Sequence, residues 1–130
     1  MRAAAACSLY ALIFIALPAS ADVAKRLSAE EFLSQVEGKT VHYTVEGKYY
    51  GTERFYGKGR STWQFPAANC EDGVYRSSED LICFRYGTTS CWTVIQDAKN
   101  QMTATSQDGF RVMIERIDNA PLRCDGNPIS

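Results

Sequence analysis

The sequence predicts a mainly β fold: an antiparallel meander of about eight short strands curled into a small barrel or half-barrel, with one short N-terminal amphipathic helix. Three observations predict it. Apolar and polar residues alternate with period two in short runs between Thr40 and Ile117. Turn residues separate those runs at close spacing: Gly47-Lys48, Gly57-Lys58-Gly59, Asp97-Ala98-Lys99-Asn100 and Gln107-Asp108-Gly109. No segment of helical length interrupts them, so no parallel βαβ unit is available.

The chain opens MRAAAACSLYALIFIALPASADVAK. Arg2 supplies a positive start, an apolar stretch runs to Leu17, Pro18 breaks it, and Ala19-Ser20-Ala21 supplies small residues for a peptidase. The expected reading is a secretory signal peptide over residues 1–21, cleaved after Ala21. The apolar run is too short for a membrane span. One domain, residues 22–130, follows, placed in the periplasm or secreted. Without Arg2 it carries 13 basic and 15 acidic residues, with no basic patch to suit nucleic acid. It holds no second apolar stretch long enough to cross a membrane.

LSAEEFLSQVEG, residues 27–38, is the helix. Ser28 and Glu31 have capping-box spacing, Leu27 and Phe32 are placed as a hydrophobic staple, and Gly38 is a natural stop. Phe32, Leu33 and Val36 form one stripe, suited to covering a sheet edge or plugging a barrel end. In TVHYTVE, Val41, Tyr43 and Val45 share one face and Thr40, His42 and Thr44 the other. YYGTERFY and RSTWQF follow, and Pro66 ends that strand. GVYR and LICFRY are separated by Ser77-Ser78-Glu79-Asp80, and CWTVIQ, QMTATS and FRVMIERI complete the meander. The Gly/aromatic rhythm of GKYYGTERFYGKGRSTW reads as two consecutive Gly-rich turns. After Asn119, Pro121 and Pro128 mark a loop.

Four cysteines lie beyond the signal peptide: Cys70, Cys83, Cys91 and Cys124. An even number in a small exported domain favours disulfides. No pair has the close spacing of zinc ligands, no Cys-x-x-Cys occurs, and His42 is the only histidine. No metal site or cofactor is expected. Four cysteines allow three pairings. A loop of Tyr86-Gly87-Thr88 would set Cys83 opposite Cys91 and Ile82 opposite Trp92 on the other face. A two-residue Gly87-Thr88 turn would instead set Cys83 opposite Trp92 and forbid the bond. The first register makes both faces chemically coherent, and Cys70–Cys124 follows from it.

The helix, the Gly38-Lys39-Thr40 strand opening and GVYRSSEDLICFRYGTTSCW together resemble a class of small exported β-proteins common in alphaproteobacteria, mostly of unknown function. They share a Gly-aromatic strand, a Cys-hairpin-Cys-Trp motif and a short final meander. The likeness spans Leu27 to Ile117 and is distinctive from Val74 to Trp92. It implies the fold and the Cys83–Cys91 bond, and it brings no catalytic residues. Cys70 and Cys124 lie outside the pattern. Some members carry a transferred dihydrodipicolinate reductase name, which this chain does not support: it has no Gly-x-Gly-x-x-Gly between strand and helix and no room for a dinucleotide domain.

Chemistry is sparse. Glu30-Glu31, Glu71-Asp72 and Glu79-Asp80 are sequence neighbours, and neighbours on a strand face opposite ways. No Gly-x-Ser-x-Gly or Ser-x-x-Lys occurs. His42 is expected to be a half-exposed strand residue. Aromatics are abundant: Tyr43, Tyr50, Trp63, Phe65, Tyr75, Phe84, Trp92 and Phe110 exceed what so small a core needs, and Tyr and Trp suit a ligand-facing wall. The expected ligand residues are Tyr43, Tyr50, Trp63, Arg60 and Trp92, with Arg85 and His42 as further polar candidates; none is expected to be catalytic. The expected function is a non-enzymatic, lipocalin-like exported module that binds a small apolar or amphipathic molecule or an envelope protein. Such a barrel should enclose about 300 Å3 or more. The alternatives are an inhibitor of a cell-envelope enzyme, with a filled interior and one projecting loop, and a small hydrolase. The hydrolase needs His42 within reach of a hydroxyl and a carboxylate.

Overall fold

The computed structural model describes residues 15–18, 23–67 and 69–124. The expected signal peptide and its cleavage at Ala21 lie outside the described residues, apart from 15–18. The described elements are β1 (Lys25–Arg26), α1 (Ala29–Val36), β2 (Thr40–Val45), β3 (Lys48–Gly57), β4 (Arg60–Gln64), β5 (Cys70–Ser78), β6 (Leu81–Tyr86), β7 (Thr88–Gln96), β8 (Met102–Ser106) and β9 (Arg111–Asp118). Each strand from β2 to β9 pairs antiparallel with the next, and β9 returns to pair with β2. The meander is therefore a closed eight-stranded barrel rather than a half-barrel. Closure leaves no long edge open to a second chain.

The helix plugs one end of this barrel. Both arms of the Ser28–Glu31 capping box form. Ala29, Phe32, Leu33 and Val36 face inward, as the stripe requires. The chain enters from β7, where β1 pairs with Ile95 and Gln96 and the Leu27 amide donates to Val94. It leaves at β3, where the Gly38 amide donates to Phe55. With eight strands in order, β7 and β3 are opposite one another, so α1 spans the barrel's width. Phe32 meets Phe55 edge-on at 6.1 Å, and Phe55 touches Tyr75 and Phe84. Buried apolar side chains fix the inward face of every barrel strand but β4: Val41, Phe55, Tyr75, Ile82, Val94, Ala104, Val112 and Ile114.

The β6–β7 hairpin adopts the register that permits a bond. Cys83 pairs with Cys91 and forms a disulfide, while Ile82 pairs with Trp92 on the barrel side. Gly87 takes the turn at a φ of 73°, which costs a glycine little. Cys70–Cys124 forms the second disulfide. Two bonds of this kind belong to an oxidising compartment.

Two expectations need correction. The polar run Ser77-Ser78 is strand, not loop: Ser77 pairs with Ile82 and Ser78 with Leu81, leaving only Glu79-Asp80 for the turn. His42 is not half-exposed but 3% accessible, because a strap covers the outside of β2 to β4. Thr40 Oγ1 donates to the Ala120 carbonyl, Gln64 Nε2 donates to the Arg123 carbonyl, and Cys124 is bonded to Cys70. Residues 118–124 thus cross the barrel's outer wall, and Thr40, Thr52, Thr62 and Gln64 are buried there although they face outward. The three hydroxyls and the Gln64 amide nitrogen find partners, which makes a polar outer layer tolerable under cover.

Candidate functional site

Within the barrel, beyond the helix plug, lies a cavity of about 220 Å3. Tyr43, Tyr50, Trp63 and Trp92 all line it, together with Phe32, Phe84 and Tyr86. Two local devices seat these rings. Tyr43 pairs with Gly51 but Thr44 pairs with Tyr49, so Tyr50 is the extra residue of a bulge and turns toward the cavity against simple alternation. Gly51 provides the floor for Trp63: a Cβ there would sit 2.4 Å from Trp63 Cζ2. Gly73 does the same for Tyr86, whose Cε1 would lie 2.4 Å from an added Cβ. The Gly/aromatic rhythm is therefore partly a packing code, with strand glycines as seats for large rings. Away from the helix, Phe65 and Phe110 are 45% and 41% exposed and both touch Tyr50, forming an aromatic rim. Trp92 contacts Phe110 on the same rim.

Arg60 does not join this site, and neither do Arg85 or His42. Arg60 and Arg85 line a shallow outer groove with Asp72 and Val74. The parity of their strands explains this: Ser61 and Trp63 point inward, and so do Phe84 and Tyr86. A buried acid, Glu53, lies in the cavity, 4% exposed. Tyr43 Oη donates to its Oε2 at 2.9 Å and Tyr86 Oη donates to its Oε1 at 2.6 Å. Ser61 Oγ also bonds Tyr86 Oη. Burial pushes the Glu53 carboxyl up, and bonds from Tyr86, Tyr43 and Ser61 hold it back, leaving it at about 7. Burial, reinforced by the neighbouring Glu53 charge, raises the Tyr43 and Tyr86 hydroxyls well above their ordinary value, so both remain protonated donors. Glu71 is the other acid lining the cavity, and no Lys, Arg or His lines it among the described residues.

Nothing in the sequence reading singled out Glu53. The signal was its parity: Gly51, Glu53 and Phe55 alternate on β3, and Phe55 is an obvious core residue. A carboxylate in register with a core phenylalanine had to be either buried or displaced.

A second cluster surrounds His42 on the outer wall. His42 Nε2 lies 3.0 Å from Asp118 Oδ2, and Nδ1 lies 3.3 Å from Thr52 Oγ1. Arg116 Nε donates to the same Asp118 oxygen at 2.9 Å. Burial pushes the Asp118 carboxyl up, but the Ala120 amide, Arg116 and His42 outweigh it and leave it below its ordinary value. A hydroxyl, an imidazole and a carboxylate are thus in line, as a hydrolase requires. Thr52, however, is fully buried at 0% and shares its hydroxyl with Tyr49. Among the described residues, no group of three or more His, Cys, Asp or Glu is placed to hold a metal ion. No helix of the described residues is long and apolar enough to cross a membrane.

Fold and site together define a closed up-and-down barrel with a plugged base, an aromatic interior and one buried acid. No protein-family model, no curated protein and no solved structure matches the chain.

Proposed function

We propose that the protein is a non-enzymatic, exported binding module of the periplasm that takes a small apolar or amphipathic molecule into its barrel. The observation that carries this reading is the aromatic cavity of about 220 Å3 with a polar anchor inside. It is smaller than the expected size, because Tyr50, Trp63 and Tyr86 fill part of the interior. An apolar cavity of about 150 Å3 already accepts benzene, so this one suits a single ring with a short arm. The two disulfides and the leader-like start support export. So does the motif that resembles small exported alphaproteobacterial β-proteins.

The inhibitor reading has less support. The interior is not filled, and Gly57-Lys58-Gly59 forms a tight turn between β3 and β4 rather than a projecting loop. The hydrolase reading has the right atoms in line at Thr52, His42 and Asp118, but no substrate carbonyl reaches a hydroxyl that is fully covered.

The chain has two tryptophans, and both line the cavity. Titration with 2-phenylethanol should therefore change tryptophan fluorescence saturably. Ala104→Leu places extra carbons in the cavity and should abolish that response without lowering the melting temperature. A wild-type protein that shows no saturable response would remove the proposal.

A further inference from the structure

We infer that the barrel selects a protonated amine: a small organic cation whose apolar body lies among the rings and whose ammonium group meets Glu53. The inference rests on the cavity reading and narrows it to one ligand class. Three features of the cavity point the same way. The charged side chains lining it, Glu53 and Glu71, are both acidic, and no cationic side chain lines it among the described residues. An anionic ligand would enter against like charge. Glu53 accepts from Tyr43, Tyr86 and Ser61, and a carboxylate has about four acceptor positions, so it keeps capacity for a further donor. The rings of Tyr43, Trp63, Tyr86 and Trp92 line the same cavity, and electron-rich rings attract a desolvated cation.

A neutral ligand would gain the apolar contacts only. A cation gains those, the attraction of the electron-rich rings and a charge partner that neighbouring hydroxyls already orient. Tyr43 and Tyr86 cannot supply the countercharge themselves, because both hold their protons. The groups facing Glu53 are Tyr43 from β2, Ser61 from β4, Tyr86 from β6 and, more distantly, Tyr75 from β5. Glu71 faces Tyr86 from the mouth side. Tyr43, Tyr75 and Tyr86, all raised above their ordinary value, keep their protons and do not compete for the ligand's. Charge balance is simple. Below the carboxyl's midpoint, a carboxylic acid and an ammonium ion become a carboxylate–ammonium pair, and one proton passes to buffer.

The test compares 2-phenylethylamine, 2-phenylethanol and 3-phenylpropanoate on the intact oxidised protein, by tryptophan fluorescence and by calorimetry in two buffers of different ionisation enthalpy. The amine should bind wild-type protein roughly tenfold or more tighter than the alcohol, and the acid weakest. At pH 6 amine binding should release close to one proton; at pH 8.5 it should release almost none. Glu53→Gln should erase the preference for the amine, weakening amine binding roughly tenfold or more relative to alcohol binding. The wild-type comparison stands even if that variant folds poorly. An amine that binds no better than the alcohol, or an acid that binds best, overturns this inference and leaves the cavity reading intact. Failure of all three ligands to bind overturns both.

Discussion

At neutral pH the Glu53 carboxyl sits near the middle of its titration, which ties the stability of the barrel to pH. Its folded-state value, about 7, lies above the ordinary 4.5 because burial disfavours the charge. Between those values the folded chain keeps a proton that the unfolded chain has lost. The stability contributed by this group is therefore full below about pH 4.5, declines as pH rises to about 7, and does not return above it. The decline amounts to about 3 kcal/mol across that window. Asp118, held below its ordinary value, acts in the opposite sense: its contribution is present at neutral pH and is lost on acidification. Glu53→Gln should flatten the decline between pH 4.5 and 7 and make the variant the more stable protein at pH 8, as read by urea denaturation at each pH. Parallel pH profiles for the two proteins would show that Glu53 does not carry the proton.

Individual strands show what could be read from sequence and what could not. Hairpin β6–β7 was legible because one register alone satisfies both Cys83–Cys91 and Ile82–Trp92. The α1 boundaries were legible because capping residues are local signals. Tyr43, Trp63 and Trp92 were chosen because aromatics exceed what the core needs, and all three line the cavity. Tyr50 reached it only through a bulge, which no local signal announced. The buried outer face of β2 was not legible at all. Thr40, His42 and Thr44 alternate as solvent-facing residues should, and only a strap from the far end of the chain covers that wall. Glu53 was missed for a related reason: its partners Tyr43 and Tyr86 come from β2 and β6, and no reading of β3 alone contains them. Strand glycines are a further element-level device. Gly51→Ala should cost about 1–3 kcal/mol, because the added methyl group must displace Trp63. Gly73→Ala should act likewise through Tyr86. Near-UV circular dichroism should lose tryptophan signal in the first variant. An unchanged spectrum and stability would mean that Trp63 does not lie on the β3 backbone.

For the whole molecule, the two disulfides differ in what they hold. Cys83–Cys91 joins neighbours already paired in one hairpin, across a sequence separation of 8. Cys70–Cys124 spans a separation of 54 and fastens the strap that covers the outer wall. Constraint of the unfolded chain grows with loop length, and on that account the hairpin bond is worth about 2.5 kcal/mol and the strap bond about 4 kcal/mol. Loss of the strap carries a further consequence. Released from Thr40 and Gln64, residues 119–124 would uncover hydroxyls and amides whose partners they supply. Water can replace those partners, so the barrel should survive while its outer layer loosens. The paired substitutions Cys70→Ser with Cys124→Ser should therefore destabilise more than Cys83→Ser with Cys91→Ser. Far-UV circular dichroism should be retained in both. In the strap variant, amide exchange should accelerate along β2 to β4 more than along β6 and β7. A larger loss from the hairpin pair, or acceleration confined to β6 and β7, would show that the hairpin bond rather than the strap holds the closed barrel together.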